Sequence, residues 1–111
     1  MPTLFIDPGE LHSELSLQEM QPISDNAGGF TEFWTEIGTV WAHIEPVSET
    51  ARVFARQPME EVTHRIILRW REGVTSGMRF CKGPRYFIII GVSDPDESGR
   101  YLICRTREEA P

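Results

Sequence analysis

Between Glu61 and Arg71 the chain alternates. Val62, His64, Ile66, Leu68 and Trp70 hold the even positions, while Glu61, Thr63, Arg65, Arg69 and Arg71 hold most of the odd ones. A period of two sends successive side chains to opposite faces, so this is a half-buried strand about ten residues long. Such a strand has to lie in a sheet, and the rest of the chain supplies its neighbours. The segment "RYFIIIGVSD" (85–94) is apolar on both faces and reads as a central strand covered on both sides. "GRYLICRTRE" (99–108) pairs with it as a hairpin across "SDPDESG", where Pro, Asp, Ser and Gly collect.

Upstream, "ELHSELSLQEM" (10–20) alternates more weakly and reads as a candidate edge strand, and "SDNAGGF" reads as a turn. Residues 30–47 break at Gly38 into two aromatic-rich strands that Pro46 closes. The helix candidate is "SETARVFARQ" (48–57), with Ser48 as cap and Glu49 in the first turn. It is short enough that a loop is equally acceptable. Residues 1–9 and 108–111 read as loose ends. The expected fold is all-β: a small antiparallel β-barrel or sandwich of six to seven strands, with one short helix or long loop near 48–58, in a single domain spanning 1–111.

At 111 residues such a fold buries a modest core, and oligomerisation would help it. No apolar run is long enough for a membrane span, and the N-terminus lacks the basic and apolar regions of a signal peptide, so an intracellular product is expected. The net charge of −6 is unevenly spread. Residues 1–50 contain nine acids and no Lys or Arg, and residues 51–111 contain eleven basic residues and eight acids. That asymmetry suits head-to-tail packing between copies, unless the fold interleaves the two halves and averages the charges.

Chemistry is sparse. His12, His43 and His64 fall on three different expected strands with no metal-ligand spacing, and Cys81 and Cys104 are too few and too far apart for a zinc cluster. No metal or cofactor is expected. His64 shares the apolar face with Val62 and Ile66, which favours a core or barrel-mouth histidine. Lys82 beside Cys81 would lower that thiol's pKa, but no placed base accompanies it. Nucleophile elbows and phosphate loops are missing, so an enzyme is not expected. Asp94, Asp96 and Glu97 form an acidic hairpin tip, which is usually solvated surface or a weak cation site.

The arginines Arg65, Arg69 and Arg71 on one strand face, and Arg105 and Arg107 on another, would grip single-stranded nucleic acid beside Trp70 or Tyr101 in an OB-like barrel. A sequence pI near 5.0 weighs against this. Cross-strand pairing with Glu32, Glu36 and Glu45 is the favoured role. Phe30, Phe33, Trp34 and Trp41 are read mostly as core.

The ordered set of pieces resembles the phage head-tail joining family, also called head closure, head-completion or stopper proteins. The likeness is carried by Trp41, Ala42, Ile44 and Pro46; by "EVTHRI" from Glu61 to Ile66; by Arg69, Gly73, Val74, Met78, Arg79 and Phe80; and by Asp94 with its acidic turn. It runs from about Asn26 to Glu108. The resemblance implies a small antiparallel barrel forming a ring, six-fold or twelve-fold, beneath the portal and adaptor of a tailed-phage head or phage-like gene transfer particle. Such a ring closes the DNA-filled head, encloses the double-stranded DNA without sequence-specific binding, and presents a platform to tail proteins. A tail-terminator or tail-completion ring protein is the nearest alternative. No catalytic residue, cofactor or membrane contact is implied, and the protein belongs at the head–tail junction of the particle after synthesis in the bacterial cytoplasm. "FCKGPRYFIII" departs from the common pattern by placing Pro84 beside Gly83. The long excursion between strands offers the candidate subunit and partner contacts: Glu49, Arg52, Phe54, Arg56 and Met59.

Overall fold

The computed structural model describes residues 8–47 and 62–109. After a single 3₁₀ turn at Pro8–Glu10 come six strands: β1 (Ser13–Ser24), β2 (Phe30–Pro46), β3 (His64–Arg69), β4 (Arg79–Lys82), β5 (Arg85–Ser93) and β6 (Tyr101–Glu109). They close into an antiparallel barrel in the order β1-β2-β3-β6-β5-β4. Closure comes from β4, which pairs with β1 through Ser16–Gln18. Over the paired stretch the barrel exposes no edge, so β1 has a neighbour on each side and is not the edge strand its weak alternation suggested.

Alternation fills the interior. Leu15 and Leu17 of β1, Val40 and Ala42 of β2, Ile66 and Leu68 of β3, Phe80 of β4, Phe87 and Ile89 of β5, and Leu102 and Cys104 of β6 form one buried cluster, with Val74 from the β3–β4 loop. Each large member contributes about 1.5–3 kcal/mol through removal of its surface from water. Phe80 and Phe87 face each other across the β4–β5 register, and Leu17 faces Phe80 across β1–β4. The hairpin of "SDPDESG" joins β5 to β6 as expected. The β4–β5 turn needs only Gly83 and Pro84: Gly83 has φ +57°, the sign that the first central residue of a two-residue hairpin turn requires. The departure "FCKGPRYFIII" is therefore a tight hairpin. β6 continues to Glu109, so residues 108 and 109 are ladder and not a loose end.

The strand from Phe30 to Pro46 does not break at Gly38. Leu17 pairs with Gly38 but Gln18 pairs with Glu36, leaving Ile37 as the extra residue of a bulge. Gly38 follows that extra residue, and the Arg71 guanidinium lies against it, 2.9 Å at Nη1 from where a Cβ would stand.

Beyond that bulge the two longest strands leave the barrel together. β1 pairs with β4 no further than Gln18, and β2 pairs with β3 only from Ala42 onward, so Glu19–Ser24 and Phe30–Glu36 pair with each other alone. This two-stranded arm is about 20 Å long at the rise of a strand. Its tip is closed by Asp25, whose Oδ1 accepts the N–H groups of Ala27 at 2.8 Å and Gly29 at 3.0 Å. Those two bonds hold the Asp25 carboxyl below its ordinary pKa. An isolated ribbon is marginal in water. Arg79 anchors this one: its guanidinium lies 4.1 Å from the Trp34 ring and 4.3 Å from the Tyr86 ring, and its Nε donates to Gln18 Oε1 at 2.7 Å.

Candidate interaction surfaces

Register places Ser13, Pro46, His64, Arg85 and Glu109 at one end of the barrel. Residues 48–61 leave and rejoin at this end, where Val47 N–H donates to Thr63 O at 2.9 Å. The candidate contacts Glu49, Arg52, Phe54, Arg56 and Met59, and the helix proposed near them, lie outside the described residues. The end itself is closed by a polar network. Arg85 holds Glu108 through two bonds, at 2.7 and 3.2 Å, and its guanidinium lies 4.8 Å from the Phe87 ring. His64 meets Phe87 edge-on at 5.2 Å, with Nε2 4.0 Å from Glu108 Oε1. Thr63 Oγ1 accepts the Glu108 N–H at 2.7 Å and lies 2.9 Å from His64 Nδ1, which suits a neutral imidazole with its proton on Nε2. Thr106, fully buried, donates to the His64 carbonyl at 2.8 Å. His64 is thus a barrel-mouth histidine, as its place in the alternation suggested.

Burial pushes the His64 pKa below its ordinary value; Glu108 opposes this and Arg85 adds to it. The folded chain therefore takes up a proton less readily than the unfolded one, so His64 favours folding above pH 6.5, and that contribution is lost as pH falls below it. We expect the wild-type melting temperature to drop between pH 7.5 and 5.5, and His64→Gln to flatten that drop. Glu108, Asp96 and Asp25 all have lowered pKa values and titrate below this window. An equal drop in the variant, followed by circular dichroism, would remove His64 as its source.

The chemistry-bearing candidates are not assembled into a reactive site. His12 precedes β1, His43 is on β2 and His64 on β3, and among the described residues no group of three or more His, Cys, Asp or Glu is placed to hold a metal ion. Both cysteines are free thiols in the barrel wall, on strands that β5 separates. Burial raises the Cys81 pKa in spite of Arg79, the cation that bears on it instead of the expected Lys82, and pushes Cys104 up to about 12. The acidic hairpin tip is closed on itself. Asp96 accepts from Ser98 and from Arg100 at 2.9 Å, which holds its pKa down to about 2, and Asp94 accepts the Gly99 N–H at 2.7 Å.

The arginines divide. Arg65 pairs with Glu45 across β2–β3 as expected, whereas Arg107 pairs with Glu109 on its own strand. Glu32 and Glu36 pair with no cation among the described residues, because the unbroken β2 carries them out along the arm. Nor are the four early aromatics mostly core: Phe30 is 74% exposed, Phe33 52% and Trp41 55%, and only Trp34 is covered in part. Sequence reasoning missed two surfaces here. One is the arm, which with its base displays Met20, Ile23, Phe30, Phe33 and Ile37. The other is the outside of the barrel near the ends of β2 and β3, where Trp41 and Trp70 are 55% and 45% exposed, Arg69 stands opposite Tyr101, and the backbone N–H of Trp70 donates to Arg100 O at 2.9 Å. No period-two signal marks the arm: apolar residues fall at Leu17, Met20 and Ile23 before "SDNAGGF" and at Phe30, Phe33, Trp34 and Ile37 after it.

No curated protein resembles the chain closely enough to count as a match. Solved structures do, two of them over nearly the whole chain. Protein SF1141 from Shigella flexneri 2a superposes with a TM-score of 0.73 at 27% identity, covering 95% of this chain and 98% of its own. A chain of the virion of a native gene transfer agent particle superposes with a TM-score of 0.63 at 27% identity, covering 90% of this chain and 96% of its own. The profile of the phage head completion proteins matches residues 6–109, nearly the whole sequence. A match over that length shows that the chain belongs to the phage head completion protein family and is a structural protein of the phage head.

Proposed function

We propose that this chain is a ring-forming head-closure subunit, placed below the portal and adaptor of a tailed-phage head or gene transfer particle, where it seals the packaged DNA and receives the tail. The observation that carries this reading is the likeness, over 90% of this chain, to a chain of a gene transfer agent virion, joined to the head completion match over residues 6–109. A closed barrel serves such a ring as a rigid body, from which the arm projects toward a neighbour. At one end the connection holding Glu49, Arg52, Phe54, Arg56 and Met59 is rooted beside the His64 network and would contact a neighbouring subunit or the ring above. At the other end stands the arm. The chain works as one domain and without catalysis.

The first fifty residues carry no cation, and acidic groups facing a conduit repel phosphate and let duplex DNA pass. The partners are therefore protein rings and further copies of the chain, with DNA enclosed and not gripped. Depleting the protein during particle production tests the role. Electron microscopy should show heads that package DNA but lack tails and lose their contents, with tails free beside them. Tailed, full particles in normal number would overturn the reading.

A further inference from the structure

We propose that the outer edge of β2 in the arm, from Phe30 to Glu36, takes up a cationic strand of another protein of the particle as a third strand of its ribbon. The proposal rests on the chain's place in the phage head and is independent of the ring reading above. Asp25 N–H donates to Gly29 O at 3.2 Å, and the register runs on from that pair through Ser24–Phe30 to Gln18–Glu36. Bonded and non-bonded pairs alternate along an antiparallel ladder, so Phe30, Glu32, Trp34 and Glu36 turn their N–H and C=O groups away from β1. Among the described residues no strand meets them there, since β2 pairs with β3 only from Ala42 onward. Such a row is a template for a further strand, and folded chains guard it with proline, lysine or a bulge. The β1 edge is guarded: the residue opposite Glu32 is Pro22, which has no N–H to give. The β2 edge has no Pro, Lys or Arg from Phe30 to Glu36, and its bulge lies beyond, at Ile37.

The side chains specify the occupant. Phe30, Glu32, Trp34 and Glu36 share one face of the ribbon, so aromatic and acidic groups alternate along it. A strand matches them when its residues on that face are in turn apolar and Lys or Arg, because opposite charges across a ladder stabilise it and like charges destabilise it. Glu32 and Glu36 form no ion pair among the described residues. Arg79 and Arg71 lie at the base of the arm, the first against Trp34 and Gln18, the second against Gly38. On the same face a cleft of about 240 Å³ opens between Met20, Glu32 and Trp34 of the arm and Gly77, Ile88 and Glu109 of the barrel, which leaves room for the side chains of an added strand. The described residues of a second copy offer no such strand. Its barrel is closed over the paired stretch, and joining two arms edge to edge gathers the unpaired Glu32 and Glu36 of both copies in one sheet.

Competition during particle production tests the edge. Wild type and one variant are expressed in equal amounts, and mass spectrometry of purified particles gives the share of each. Glu32→Pro removes an outward N–H and keeps the β1–β2 bonds, as Pro22 does across from it, and should be under-represented about tenfold. Glu32→Lys should be excluded as strongly, because lysine then faces a cation. Glu32→Gln keeps the N–H, loses the charge and should fall about twofold. A melting temperature of each free variant within about 2–3 °C of wild type establishes its fold. Hydrogen exchange on wild type gives a reading that needs no variant: amides of Phe30–Glu36 should exchange at least about tenfold more slowly in the particle than in the free chain. Equal shares for a folded Glu32→Pro, or equal exchange in particle and free chain, overturn the proposal. Equal shares for Glu32→Lys beside exclusion of Glu32→Pro assign the edge to an uncharged strand and overturn the cationic partner. Slowed exchange in a concentrated solution of the free chain makes the occupant a second copy and overturns it too. The ring reading is decided apart from these outcomes, by the depletion experiment.

Discussion

Phe87→Ala should destabilise the barrel by about 3–5 kcal/mol, the range for deleting a fully buried aromatic ring. The Phe87 side chain is completely buried, faces Phe80 across the β4–β5 hairpin, and receives the edge of His64 at 5.2 Å. Small domains hold in total about 5–15 kcal/mol, so this single truncation removes a large share of the folding free energy. A fall in melting temperature of roughly 10–25 °C follows from the entropy of unfolding a domain of this size. Phe87→Leu, which keeps most of the volume, should fall much less. Thermal denaturation of the pair by circular dichroism checks the result, and a Phe87→Ala midpoint within 2–3 °C of wild type, about the change expected from under 1 kcal/mol, would deny Phe87 its central place.

Arg79→Ala should free the arm and leave the barrel standing. Each of the two guanidinium–ring contacts is worth about 0.5–1 kcal/mol at a partly exposed site, and the bond to Gln18 adds a similar amount. Together they supply about 1.5–3 kcal/mol, of which the Trp34 contact and the Gln18 bond, about 1–2 kcal/mol, bear on a two-stranded ribbon that is marginal alone. Global stability should fall by no more than that sum. Local stability should change far more: amide exchange in Met20–Ile23 and Thr31–Trp34 should accelerate at least tenfold, while β3 and β6 keep their protection. Uniform acceleration over the whole barrel would contradict an anchoring role for Arg79, and unchanged exchange in the arm would show that it stands without its anchor.

Strand structure was legible wherever one face is buried. Val62, His64, Ile66 and Leu68 alternate because β3 has core on one side, whereas β5, expected to be covered on both faces, buries Phe87 and Ile89 and leaves Ile88 and Ile90 half-exposed, because a barrel strand has core on one face only. The arm was not legible, for a physical reason. Met20, Ile23, Phe30 and Phe33 are apolar residues that the barrel does not bury, and a sequence of aromatics between polar residues carries no label telling core from exposed ribbon. Gly38 misled in the same way. Glycine marks a chain break, a bulge or a close approach with equal force, and here it is a bulge under Arg71. The pairing of Arg65 with Glu45 could be foreseen because both lie on adjacent strands within the barrel. Glu32 and Glu36 could not be assigned to the arm without knowing that β2 runs on through the bulge.

At the barrel mouth, position in the alternation placed His64 correctly, but its partners could not be read from the chain. Glu108 and Arg85 reach it through β6 and β5, more than twenty residues away, and only closure of the barrel brings them together. Nothing in the local sequence of "YLICRTREE" distinguishes Glu108, held by Arg85, from Glu109, held by Arg107.

We propose that this barrel is a ring layer of the head–tail junction. Electron cryomicroscopy of the purified particle measures this most directly. The claim predicts a closed ring of identical six-stranded barrels between the head-side portal assembly and the tail, with its opening on the DNA axis. Density for this chain elsewhere in the particle, or a junction complete without it, would contradict the claim.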